Sequence, residues 1–332
     1  MSCENLAGHN ARLYMIDESQ YGKTPAAGAW DWMGVVKDLS PTFNPNVTKL
    51  TGISSRRYLE RLDGDHQVNL KAQLAPKGPK NILDWFKLAL GSSMGVTDDC
   101  LPSKSLEAIL AKDGFYMANL YNGVKLKSLG LSWTYGQPLS LDLDMVAQAV
   151  QISKVSSGAP DWLTSYVGFQ GSSGTPLTIG SRVAQPTVPA YNFTDIPRPQ
   201  IDWGAGLVSL PPIDGLTLTA VNNLVLIPGS VEGDDGELYP FPEEWSEEGQ
   251  EMTVGLTINP KHLDIYERLV NRLDLIDELK LILMHPTGSG LSETIFSLTG
   301  GGIDTGDMSI KELVLMKQPV NLSFNSLTTT ST

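Results

Sequence analysis

The chain holds 332 residues with a formal net charge of −13, and its 41% apolar and 18% charged content excludes a disordered chain and predicts one large β unit or two domains. Its two cysteines, Cys3 and Cys100, exclude a disulfide framework and argue against a cysteine-based zinc site, while an acidic chain without a basic stripe is a poor nucleic-acid binder. No stretch nears the ~18 consecutive apolar residues of a membrane span, and the opening MSCENLAGHNARLYM lacks the basic start and apolar run of a signal peptide.

The first clear element is a period-two stretch in which Val68, Leu70, Ala72 and Leu74 alternate with polar residues, as in a half-buried antiparallel strand. Pro79 to Leu90 then switches to helical spacing, with Ile82, Leu83, Trp85, Phe86, Ala89 and Leu90 on one side and Gly91 as the stop. Leu139, Leu141, Leu143 and Met145 alternate with Ser140, Asp142 and Asp144, which reads as another strand. Residues 153–200 are rich in Gly, Ser and Pro and read as a crossing segment with little helix. Met252, Val254, Leu256 and Ile258 resume the alternation. Pro260 to Leu273, with Asn259 as N-cap and Leu263, Tyr266, Leu269, Val270 and Leu273 at helical spacing, predicts a second amphipathic helix. Val320, Leu322 and Phe324 alternate with Asn321, Ser323 and Asn325 in a final strand.

These elements repeat. Pro79 and Pro260 stand 181 residues apart, as do Gln137-Pro138 and Gln318-Pro319, and Gly34 and Gly215. The same offset brings Trp85 to Tyr266 and Leu139, Leu141 and Leu143 to Val320, Leu322 and Phe324. Matches that keep their order and element type point to internal duplication, with the strand before the helix slipped by about a residue. The expected division is 1–152, a connecting segment 153–200, and 201–332.

No catalytic or cofactor constellation accompanies the pattern. His9, His66, His262 and His285 form no metal-binding pair, and Walker A, HExxH and GxSxG motifs are absent. Gly300-Gly301-Gly302-Ile303-Asp304-Thr305-Gly306 misses the dinucleotide spacing and reads as a hairpin loop. Asp63-Gly64-Asp65-His66 reads as a turn before a strand rather than a calcium site. Asp142 and Asp144 share a strand face, as paired carboxylates for glycoside hydrolysis would, but the second half has Ser323 and Asn325 there, so a solvated polar face is the expectation.

Two long connections carry opposite charge. Pro45 to Leu62 holds Lys49, Arg56, Arg57 and Arg61 against Glu60 alone. At ~3.3 Å per residue, ten residues out and ten back reach roughly 33 Å, far enough to touch a neighbouring subunit. The corresponding stretch of the second half, 232–251, holds nine acids, including Glu243, Glu244, Glu247 and Glu248, with Phe241 and Trp245 among them and no Lys or Arg. Solvated loops and complementary docking arms between subunits are both open readings.

Asp17-Glu18-Ser19-Gln20-Tyr21-Gly22-Lys23-Thr24-Pro25-Ala26, followed by Trp30 and Gly34-Val35-Val36, resembles the start of a tailed-phage tail tube (major tail) protein. Tyr121 to Leu129, running into a Pro-Leu turn and Leu141-Asp142-Leu143-Asp144, carries the same resemblance, as does Thr219-Ala220-Val221-Asn222-Asn223-Leu224. It covers roughly residues 12–152 and 190–325. The resemblance implies a mainly β fold: two tandem antiparallel β-sandwich or barrel-like tail-tube domains, each with one flanking α-helix. It implies a non-enzymatic virion subunit without cofactors, assembled in the host cytoplasm. Six such units usually surround a channel, so three two-unit chains would close one pseudo-sixfold ring of a stacked tube. The implied partners are further copies of the chain, tail tip and terminator proteins at the ends, and tape measure protein and DNA in the lumen, with no membrane. Ser140, Asp142, Asp144, Asn321, Ser323 and Asn325 are candidates for the lumen face, the outer surface being the equal alternative. A β-sandwich adhesion or carbohydrate-binding module is the second reading. It would need aromatics clustered on one exposed face.

Overall fold

The structure is a computed structural model that describes residues 11–25, 28–46, 48–51, 58–62, 64, 66–91, 101–112, 115–155, 165–166, 177–178, 181–188, 190–191, 199–210, 213–232, 238–239, 241–258, 267–268, 271, 275–287, 290–306 and 318–331. The first half contains β1 (Arg12–Asp17), β2 (Asp31–Trp32), β3 (Val35–Asn44), β4 (Thr48–Thr51), β5 (Tyr58–Leu62), β6 (Gln67–Ala75), α1 (Pro79–Leu90), β7 (Lys104–Lys112), β8 (Phe115–Thr134), β9 (Ser140–Ala147) and β10 (Ala149–Val155). The connecting segment holds β11 (Ser165–Tyr166) and β12 (Leu177–Thr178). The second half contains β13 (Gln200–Asp202), β14 (Leu207–Ser209), β15 (Ile213–Ile227), β16 (Val231–Glu232), β17 (Leu238–Tyr239), β18 (Glu244–Ile258), β19 (Leu275–Thr287), β20 (Gly290–Gly306), β21 (Gln318–Phe324) and β22 (Ser326–Ser331). The fold is mainly β, as expected.

The two halves share one topology. The first runs β3-β6-β9-β8-β7-β1-β2 with β10 on β8; the second runs β15-β18-β21-β20-β19-β13-β14 with β22 on β20. Every pairing in both runs is antiparallel. The halves are fused edge to edge: β15 lies on β8 over seven pairs, from Gly215 opposite Thr134 to Val221 opposite Ser128. The result is a sheet of 16 strands rather than two separate sandwiches.

Period-two alternation places whole rows of residues on one side of this sheet. One row runs Ile303, Leu322, Val254, Leu218, Leu131, Leu141, Leu74, Val36 across eight strands. It faces the core, and one hydrophobic cluster spans both halves. The expected helix forms where predicted. Pro79 supplies its first turn, and Gly78 (φ 83°) and Gly91 (φ 91°) adopt the left-handed backbone at its two ends. Its buried face meets the sheet through Ile82, Trp85, Phe86 and Ala89. Trp85 Nε1 donates to Met33 O at 3.2 Å, and Asn81 Nδ2 to Trp32 O at 2.7 Å. The Phe86 ring lies 5.0 Å from that of Phe296 in β20, so the helix packs on both halves. One carbonyl of its last turn, Ala89 O, accepts from Asn222 Nδ2 (2.8 Å) and Gln250 Nε2 (2.9 Å), second-half side chains that satisfy an otherwise orphaned acceptor.

The connecting segment straps the first half. Trp30 N donates to Ser181 O and Val183 N to Trp30 O, both at 2.8 Å, flanking a parallel bridge between Trp30 and Arg182. Arg182 then pairs with Glu107 of β7, Nη2 to Oε1 at 2.6 Å, with side chains only 7% and 0% exposed. This seals a second apolar cluster of Tyr14, Trp30, Trp32, Ile109, Ala118 and Leu120.

One sequence expectation about the elements changes, and one lies mostly beyond the described residues. The 300–306 glycine stretch is not a hairpin loop but the end of β20, paired with β21. Gly301 is needed for close packing: a Cβ there would lie 2.3 Å from Phe324 Cδ1 and 2.6 Å from Ser323 O. The predicted helix from Pro260 to Leu273 falls mostly outside the described residues. Within it Glu267 and Arg268 are helical, and Asn271 N donates to Glu267 O at 2.9 Å, one turn back.

Candidate functional site

Rows alternating with the apolar ones form an open polar face that crosses the fusion joint. One runs Gly302, Ser323, Thr253, Thr219, Gly130, Asp142, Gln73, Asp38. Every member is glycine or polar, although the strands come from both halves. Beside it Asn321, Gly255, Thr217 and Ser132 form a second such row. Gln73 Nε2 donates to Asp142 Oδ1 at 2.8 Å, and Ser323 Oγ to Asp304 Oδ1 at 2.8 Å, so carboxylates on the face are held by neutral donors. Lys71, opposite Asp144, is a cation among Asp38, Asp142, Asp144 and Asp304. A shallow groove over the first-half part is lined by Asp38, Lys71, Gln73, Ser128, Asp142 and Asp144.

The candidate face residues therefore come together, with two refinements. Asp142 and Asn321 are exposed on the face, and Asp144 and Ser323 are half-buried. Ser140, by contrast, is buried at 8% exposure and does not line the open face. Asn325 is exposed at the bend between β21 and β22, beside Gly300.

The charged connections are placed unevenly. The basic one is a hairpin, β4 on β5, in which Lys49 and Arg61 are directly opposite. Arg56 and Arg57 lie outside the described residues, as do Asp63 and Asp65 of the predicted turn; His66 stands between the rings of Phe43 (5.2 Å) and Phe241 (5.8 Å). The acidic stretch is not a free arm over its second part. Glu244, Glu247 and Glu248 belong to β18, which pairs with β15. Glu244 and Glu247 bind within the chain to Lys125, whose side chain is 3% exposed: Nζ lies 3.2 Å from Glu244 Oε1, 2.6 Å from Glu247 Oε1 and 2.8 Å from Trp245 O. Gln148 Nε2 adds bonds to Pro242 O (3.3 Å) and Glu243 O (3.0 Å). This buckle fastens the second half onto the first. A buried lysine demands counter-charge, which draws the acids inward. Glu243 and Glu248 remain exposed. Lys125 and Gln148 were missed from sequence, because Lys125 alternates with Val124 and Leu126 as an outward-facing strand residue would.

Between β3 and β15 the sheet has four antiparallel steps, through β6, β9 and β8. An even number of reversals makes β3 and β15 run the same way. The β4–β5 hairpin follows β3 and the β16–β17 hairpin follows β15, so both leave from one end of the sheet.

The Asp17–Ala26 motif has a structural role. The Glu18 carboxylate accepts from Gly22 N (2.9 Å), Ser103 Oγ (2.7 Å), Ser105 Oγ (2.6 Å) and Gly123 N (2.9 Å). Burial, reinforced by Glu18 nearby, pushes the Tyr21 phenol far above its ordinary value and keeps it neutral. Among the described residues no three His, Cys, Asp or Glu side chains are grouped to hold a metal, and no helix is long and apolar enough to cross a membrane.

No protein-family model matches the chain, and no curated protein does. Among solved structures, a chain from the virion of a native gene transfer agent particle is similar at 12% identity and a TM-score of 0.30, covering 42% of this chain and 99% of that one. A chain from the tail of an empty gene transfer agent particle, refined with helical and C6 symmetry, is similar at 13% identity and a TM-score of 0.29, with the same coverages.

Proposed function

We propose that this chain is the structural subunit of a viral tail tube, in which rings of the protein stack into a hollow conduit for DNA. The observation that carries this reading is the polar face that continues across two equivalent units fused edge to edge. One face of such a sheet is used up by its core. The other is lined by glycine and mainly short polar or acidic side chains, with Lys71 opposite Asp144, a surface with little positive charge to hold phosphates, so that a polyanion slides. Residues 1–152 and 201–332 are the two tube units, joined by 153–200, so three chains complete a pseudo-sixfold ring. The two hairpins that leave one end of the sheet meet the next ring, Lys49, Arg56, Arg57 and Arg61 against exposed acids such as Glu243 and Glu248. Tape measure protein occupies the lumen before DNA, and tip and terminator proteins close the ends.

The adhesion reading is disfavoured by the aromatics. Trp30, Trp32, Trp85, Trp133 and Trp245 are all buried, and Trp203 packs under Arg268 with the guanidinium 4.4 Å from its ring. Among the described residues, the exposed aromatics Phe43 and Tyr135 sit at opposite ends of the sheet, not on a shared platform. Negative-stain electron microscopy of concentrated protein should show hollow rings or tubes with threefold or sixfold end views. Replacing Arg56, Arg57 and Arg61 together by Glu should leave rings but shorten or abolish stacks; tubes of normal length would remove the basic hairpin from stacking. A chain that stays monomeric at every salt concentration and binds glycans would instead support the adhesion module.

A further inference from the structure

We infer that the two hairpins of one chain stand together over its first half as a single prong, so that each chain offers the next ring one contact and not two. This rests on the tube reading above and names the unit that docks in it. The β4–β5 hairpin leaves β3 and returns to the adjacent β6. The β16–β17 hairpin leaves β15 and returns to β18. Were its returning strand to stay above β18, it would stand four strand spacings, roughly 19 Å, from β6. It leans across the first half instead. Followed back from β18, the chain meets one anchor on each first-half strand that it passes. Glu247, Trp245 and Glu244 are held by Lys125 of β8. The carbonyls of Glu243 and Pro242 accept from Gln148, at the end of β9. Phe241, itself buried, brings its ring to 5.8 Å from His66, the residue before β6. His66 also meets Phe43, near the end of β3, at 5.2 Å. One imidazole thus joins the root of the basic hairpin, Phe43, to the root of the acidic one, Phe241.

The middle anchor is built into the first half. Gln148 is buried, and two glycines leave its space open: a Cβ on Gly22 would lie 1.7 Å from Gln148 Oε1, and one on Gly123 2.8 Å from Gln148 Cβ. Charge favours the same pairing. Residues 45–62 carry four cations against Glu60, a net +3, and residues 231–241 carry Glu232, Asp234, Asp235 and Glu237 with no cation, a net −4. Side by side the hairpins attract, and the prong keeps a net charge of only −1. A ring of three chains then presents three prongs, not six.

The test is hydrogen exchange read by mass spectrometry on the single chain, where no ring is needed. Phe241→Ala lies in the second half, yet it should speed exchange in the first-half hairpin, residues 48–62, by roughly tenfold, along with residues 231–239. His66→Ala lies in the first half and should loosen 231–239 in the same way. Strands β8 and β15 should keep their protection in both, as the measure that the chain is folded. Should Phe241→Ala unfold the chain, Phe43→Ala, at a ring that is 50% exposed, carries the same reading through faster exchange at 231–239. Variants that each loosen only their own hairpin overturn the prong and leave the tube reading standing. Electron microscopy of the parent chain separates the two: three connections at each ring interface support the prong, and six overturn it. Absence of rings at every salt and protein concentration overturns the tube reading, while coupled exchange would still establish the prong.

Discussion

Replacing Arg182 by Met should lower the stability of the chain by about 3–5 kcal/mol, the usual consequence of removing one partner of a buried ion pair. Glu107 is fully buried, and the guanidinium of Arg182 is nearly so. Methionine matches the length of the lost side chain but removes the guanidinium that meets the buried Glu107 carboxylate beside Trp30 and Tyr14. The cost falls on the strap as a whole, because Trp30 N–Ser181 O and Val183 N–Trp30 O depend on the strap staying seated. Chemical denaturation followed by tryptophan fluorescence measures it. Changing Glu107 to Leu in the same chain should recover much of the loss, since an apolar pair of similar volume removes the buried charge. A single variant within about 1 kcal/mol of the parent would show that water reaches Glu107.

The second large effect is expected from Trp85→Ala, at about 3–5 kcal/mol. Trp85 is 0% exposed, and its indole donates to Met33 O. The loss combines apolar burial, an unpartnered carbonyl and a cavity beneath the sheet. The neighbouring Phe86 packs at a tilt against Phe296 of the second half, and Asn222 and Gln250 hold the helix end from that half too. Damage to α1 should therefore lower both halves together, in one transition seen alike by far-ultraviolet circular dichroism and fluorescence. Two separated transitions would show that the halves fold independently. Trp85→Phe should cost much less, because it keeps most of the apolar volume.

The elements were largely legible in the sequence, because period two and period 3.6 are local signals. The strand at Met252–Ile258 and the helix Pro79–Leu90 fall where the alternation of Met252, Val254 and Leu256 and the spacing of Ile82, Trp85 and Phe86 place them. The 181-residue offset announced the shared topology. What period cannot convey is which strand lies beside which. The β15–β8 joint brings Thr219 to Gly130 across 89 residues of chain, and nothing local to either segment marks it. Composition also misled at two places. The Gly300–Gly302 run suggests a turn, but Gly301 is there because Phe324 leaves no room for a Cβ. The acids at 243–251 suggest a solvated arm, but Lys125 holds two of them within the chain. The polar face was visible as alternating Asp142, Asp144, Asn321 and Ser323; only the pairing made it one surface, and only burial removed Ser140 from it.

The parallel course of β3 and β15 gives the molecule a head and a tail. A C2 pair would place heads or tails together, but units added by translation and rotation keep all hairpins pointing one way. Any stack of this chain is then directional. Its two ends expose different chemistry, hairpins at one and the β8–β9 turn around Tyr135 at the other. The ends should grow at different rates, and a cap shaped for one end cannot seat on the other. A conduit built this way carries its orientation in every subunit and needs no separate mark to tell entrance from exit.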